Sequence, residues 1–123
     1  MACAEKPREK ATFKKALVLG LILISLGTLD WLTTVLGVHY LGVVELNPLF
    51  ASVVSSNVLV FSVIKLAAAI LIGLLFYIGY AAEETTGINS RLGKLFLCSG
   101  YYASLTTLTA VVANNIIVVI STI

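Results

Sequence analysis

Apolar residues fall in three long blocks separated by short polar stretches, and that pattern predicts three membrane-crossing helices. The first block runs from Ala16 to Val44 with only Asp30 and His39 as ionisable interruptions; the second, Leu49 to Ala82, carries Lys65; the third, Leu95 to Ile123, carries none. A helical span needs about 20 apolar residues at 1.5 Å rise each, so each block is long enough to cross a bilayer. The predicted spans are 16–42, 55–82 and 95–121. The second block exceeds one span, which places residues 49–56 in a short interfacial or re-entrant segment ahead of it.

The expectation is an all-α integral membrane protein: a basic tail over residues 1–15 and one three-helix domain over 16–123. Composition agrees, with 59% hydrophobic and 11% charged residues, where a soluble domain carries about a quarter charged. The basic start followed by an apolar run also fits a signal peptide, but this run continues past the usual ~7–15-residue core and reads as a retained anchor.

Charge placement predicts orientation. Lys6, Arg8, Lys10, Lys14 and Lys15 precede the first span, Arg91 and Lys94 lie between the second and third, and the first loop and C-terminus have no Lys or Arg. The positive-inside rule then puts the N-terminus and the Glu83–Lys94 loop in the cytoplasm and the C-terminus outside. A multi-pass protein of the cell (plasma) membrane is the expected setting. The small positive charge comes from span ends and points to the lipid bilayer, not to nucleic acid.

The polar residues inside the spans carry the candidate chemistry. A charge at the centre of a span costs roughly 2.5–3.5 kcal/mol on insertion scales, so Asp30 and Lys65 each call for a partner. Counting helical rise from the cytoplasmic ends places Asp30 about 22 Å up, Lys65 about 27 Å and Asn114, of the Asn114–Asn115 pair, about 30 Å. Helical spacing sets small or polar residues on one stripe of each span: Gly20, Gly27, Asp30, Thr34 and Gly37; Ser62, Lys65, Ala69 and Gly73; Gly100, Ala103, Thr107, Ala110 and Asn114. Such stripes let helix backbones approach closely in lipid. They are expected to face one another and bury an Asp30–Lys65 pair, either as a register-setting device or as part of a path for an ion or polar solute.

In the first loop, Asn47 before Pro48 suits a helix start, with Glu45 complementing the positive end of the helix dipole. Glu45 and Asn47 could instead offer oxygens to a cation. Trp31 reads as packing, His39 as a solvated interfacial residue, and Tyr77, Tyr80, Tyr101 and Tyr102 as interfacial anchors.

Asp30 with Thr33 and Thr34, then Glu45-Leu46-Asn47-Pro48 with a further apolar residue, then a lone Lys65, resembles the pattern of domain-of-unknown-function family 5658. The resemblance covers roughly Leu17 to Gly73, with the Glu-x-Asn-Pro element its most specific part, and does not take in the third span. It implies a short helical membrane protein of the kind found in prokaryotes, supports grouping Asp30, Glu45, Asn47 and Lys65, and names no activity.

Catalytic signatures such as Gly-x-Ser-x-Gly, His-Glu-x-x-His or a P-loop are lacking, and one histidine with the separated Cys3 and Cys98 makes neither a metal site nor a haem site. The chain is therefore expected to be no enzyme and to carry no cofactor. Two functions remain open: an accessory or assembly subunit of a larger membrane complex, or a homo-oligomeric channel or carrier that uses Asp30, Glu45 and Lys65.

Overall fold

The computed structural model describes residues 7–45, 48–86 and 91–123. They form helices α1 (Pro7–Val35), α2 (Pro48–Ser56), α3 (Val58–Thr86) and α4 (Arg91–Thr122), and a π-helical turn over Leu36–Tyr40 extends α1. Three stretches, Phe13–Tyr40, Val58–Ala82 and Leu92–Thr122, are long and apolar enough to cross a membrane. The all-α, three-span reading holds. α1 begins at Pro7, inside the basic segment and well before Ala16.

α1 is the organising helix, packed on one side by α3 and on the other by α4. Its inward positions are Ala16, Gly20, Leu23, Gly27, Asp30, Thr34 and Gly37, alternating four and three residues apart. That spacing is the 3.5-residue repeat of left-handed helix pairs. Lipid offers no hydrophobic drive for helix association, so the pair is held by close van der Waals approach and by polar bonds. Small residues provide the approach. A Cβ on Gly20 would stand 2.9 Å from the Gly73 carbonyl oxygen, and one on Gly27 would stand 2.6 Å from the Ala69 Cβ. Gly20, Gly27, Ala69 and Gly73 thus lie at the α1–α3 crossing.

α4 is rotated relative to the expected stripe. Gly100, Ala103, Thr107, Ala110 and Asn114 are exposed, and nothing lies within 4 Å of a Cβ placed on Gly100. The face turned inward carries Tyr101, Ser104, Leu108, Val112 and Asn115, about one residue further along. A bulky anchor accounts for the rotation. Tyr101 is buried, its ring centroid lies 4.5 Å from that of Phe76 on α3, and its hydroxyl donates to the Leu19 carbonyl at 3.4 Å. An aromatic ring with a polar tip gains more from that seat than the small residues beside it. Tyr101 is therefore a packing residue and not an interfacial anchor.

The turn between α1 and α2 is tight. The Gly37 carbonyl accepts from both Leu41 N (3.2 Å) and Val43 N (3.0 Å), and Gly42 sits at φ +70°, a left-handed conformation that glycine adopts without penalty. Pro48 opens α2 at the first helical position, where its missing N–H costs nothing. Asn57 separates α2 from α3, accepting from Leu59 N and Val60 N at 3.1 Å each as an N-cap. The α2 helix folds back along the first turns of α3, so that Phe50 meets Phe61 edge-on at 5.8 Å between centroids. The expected short segment at 49–56 is this helix.

Candidate functional site

Asp30 is at the centre of the polar site. It occupies an inward position of α1, is 6% exposed, and accepts a charge-assisted hydrogen bond from Lys65 Nζ through Oδ2. Lys65 reaches it from α3, with its ammonium beside two aromatic rings, 5.4 Å from the Phe50 centroid and 5.7 Å from that of Phe61. Opposite charge and cation–π contact both compensate a lysine taken out of water. Phe61 stands four residues before Lys65, the spacing that puts two side chains on one helix face, so half of this cage was visible in the sequence. Phe50 arrives only because α2 folds back.

The second carboxylate oxygen is taken by α4. Asn115 Nδ2 donates to Asp30 Oδ1 at 3.2 Å and lies 3.3 Å from both Thr33 Oγ1 and Thr34 Oγ1. The two hydroxyl protons are already committed to the backbone, from Thr33 to the Leu29 carbonyl at 2.9 Å and from Thr34 to the Asp30 carbonyl at 2.8 Å. Their oxygens therefore face Asn115 as acceptors. The expected contact from the third span is made by Asn115 and not by Asn114, because of the rotation that seats Tyr101. Thr33 and the Trp31 indole are further members: Trp31 Nε1 donates to Ser62 Oγ at 2.8 Å, a second tie between α1 and α3 one residue along from Asp30.

Above this network lies a cleft of about 770 Å³. α3 and α4 meet at their Phe76–Tyr101 end and leave room between them at the level of Asp30. Asp30, Thr34, Lys65 and Asn115 form its polar floor, Asn114 and Ala110 line one side, and Glu45 with Val43 and Val44 stands at the loop end. The structure thus gathers Asp30, Thr34, Lys65, Asn114 and Glu45 about one space. Pro48 belongs to α2 and does not line it, and Asn47 lies outside the described residues. His39 is exposed in the π-helical turn, edge-on to Tyr40 at 5.4 Å.

The family model of the domain of unknown function DUF5658 matches residues 21–120, from the first span through nearly all of the third. The chain belongs to this family. The match extends well past the Leu17–Gly73 region that carries the motif resemblance and takes in α4, with Asn114 and Asn115. No curated protein and no solved structure matches the chain.

Proposed function

We propose that this DUF5658 protein is a small accessory or assembly subunit of a larger membrane complex, set in the plasma membrane with its N-terminus cytoplasmic. One observation carries the reading: the intramembrane charges are spent within the chain while the outward faces of α3 and α4 are left to lipid or to other helices. Asp30 is closed by Lys65 on one oxygen and Asn115 on the other, which sets the register of three helices at a single point. Outside that point, Leu59, Leu71, Leu75, Phe96, Ile117 and Ile120 are among the exposed apolar side chains, a surface suited to further helices of an assembly as well as to lipid. The decisive experiment is extraction at native abundance in mild detergent followed by native mass spectrometry of the intact complex. Other polypeptides at fixed stoichiometry support the subunit; a chain found alone overturns it.

The cleft favours a second reading, a homo-oligomeric channel or carrier for an ion or small polar solute. In that case Asp30→Asn abolishes flux in reconstituted vesicles while the protein stays folded. Flux absent from the unmodified protein, or unchanged in the variant, removes this reading.

A further inference from the structure

Polar side chains inside a bilayer are tolerated where they meet one another or water, because hydrocarbon makes no hydrogen bonds. The protein leaves several bonds unmade at the cleft. The Asn114 carboxamide offers donors and an acceptor and makes no side-chain hydrogen bond within the described residues. Asn115 directs its amide N–H groups at Asp30 and the two threonines, and its Oδ1 receives no donor among the described residues. Lys65 carries three protons and gives one to Asp30, and the side chains of Lys65 and Asp30 keep 16% and 9% of their surface exposed. All four residues line the same space.

Size and shape point the same way. The cleft volume of about 770 Å³ compares with roughly 30 Å³ for a water molecule in the liquid, so there is room for a connected body of water. The walls are largely valine, and what separates this space from a dry apolar cavity is its floor of charged and amide groups. Hydrocarbon in the same space would leave those groups unsolvated, a cost that water removes. One end of the cleft is the loop, where Glu45 stands with Val43 and Val44. The other end is closed: Phe76 and Tyr101 pack with ring centroids 4.5 Å apart, the Tyr101 hydroxyl donates to the Leu19 carbonyl, and Leu23 and Val112 are buried.

We propose that the cleft is an aqueous vestibule, filled from the Glu45 end and closed at the Phe76–Tyr101 end, that brings water to the Asp30–Lys65 pair inside the membrane. The pair is hydrated on its cleft side, while Phe50 and Phe61 stand beside the ammonium. Asn114 and Asn115 hold the water at the α4 wall. A vestibule closed at one end differs from a pore: small solutes reach Asp30 and Lys65 from the Glu45 end and go no further within one chain. This requires neither a partner subunit nor transport, so it goes beyond the proposed function and survives the failure of either reading.

The test is the rate at which single cysteines react with a water-soluble, charged methanethiosulfonate, read as mass gain of the intact full chain in phosphatidylcholine nanodiscs. Cys3 and Cys98 are first replaced by Ala to remove the native thiols, and the helical circular dichroism of each variant establishes that it is folded. Thiolate is the attacking form and is disfavoured in apolar surroundings, so Asn114→Cys and Val118→Cys, which line the cleft, are expected to react at least about tenfold faster than Ala113→Cys and Ile117→Cys. The slow pair are the immediate neighbours on the outward face of α4, at nearly the same depth, so depth does not account for the difference. Ser104→Cys, on the inward face between Tyr101 and the cleft floor, is expected to be as slow as the outward pair. Cleft cysteines no faster than their outward neighbours overturn the vestibule, since lipid then fills the space. A folded Ser104→Cys protein that reacts as fast as Asn114→Cys overturns the closed end.

Discussion

Asp30 and Lys65 stand 35 positions apart in the chain and meet in one charge-assisted hydrogen bond between neighbouring helices. Neither charge is isolated. Lys65 has the rings of Phe50 and Phe61 about its ammonium, and Asp30 has Asn115, from 85 positions away, on its other oxygen. Four helices therefore converge on one ion pair, and the consequences of disturbing it can be stated.

Removing one charge leaves the other buried and uncompensated. Asp30→Ala or Lys65→Ala is expected to lower stability by roughly 3–5 kcal/mol, the cost of breaking such a pair in soluble proteins. The double variant Asp30→Leu with Lys65→Met removes both charges together and should recover much of the loss. Denaturation by SDS titration from mixed micelles measures all three. A double variant no more stable than the worse single one would show that the two residues do not act as a pair.

The two adjacent asparagines are expected to differ. Asn115→Leu removes the donor to Asp30 and both threonines and should cost about 0.6–1.7 kcal/mol, between the average and the largest values typical of interhelical hydrogen bonds in membranes. Asn114→Leu should leave the same SDS midpoint unmoved, because its side chain faces the cleft and makes no bond within the described residues. Equal losses from the two would mean that α4 sits in a different rotation.

Glycines separate in the same way. Gly73→Leu puts a side chain where a Cβ alone would stand 2.8 Å from the Gly20 carbonyl oxygen, so α1 and α3 must part and the folded fraction should fall sharply. Gly100→Leu points into open space on α4 and should be neutral or slightly stabilising, since leucine is the better helix former. Thermal unfolding followed by helical circular dichroism compares them directly.

The chain has a single tryptophan, so its fluorescence reports one place. Ser62→Ala removes the acceptor of the Trp31 indole N–H and should shift the emission to shorter wavelength while barely altering stability. An unchanged spectrum would place Trp31 away from α3.

Much of the arrangement of the first two spans is legible in the sequence itself. On α1 the small and polar residues coincide with one 3.5-residue stripe, so Gly20, Gly27, Asp30, Thr34 and Gly37 mark the buried face without further information, and a lone charge in each of the first two spans calls for the other on energetic grounds. Depth alone places Asp30 and Lys65 within about a turn of each other. The helix at Pro48 and the break before α3 follow from proline and asparagine chemistry, which acts on the nearest few residues.

The rotation of α4 is not legible there, and the reason is physical. Apolar side chains surround α4 almost evenly, and in lipid apolarity does not distinguish an inward face from an outward one. Small residues are then the remaining cue, and they lie about 100° from the face that Tyr101 turns inward by stacking on Phe76 and bonding the Leu19 carbonyl. That single aromatic seat determines that Asn115 and not Asn114 reaches Asp30. Phe50 beside Lys65 depends likewise on α2 folding back, and the cleft on α3 and α4 standing apart above Phe76. Chain-local chemistry and the cost of a charge in lipid are written in the sequence; which side of an evenly apolar helix turns inward is decided only when side chains from distant segments compete for the same space.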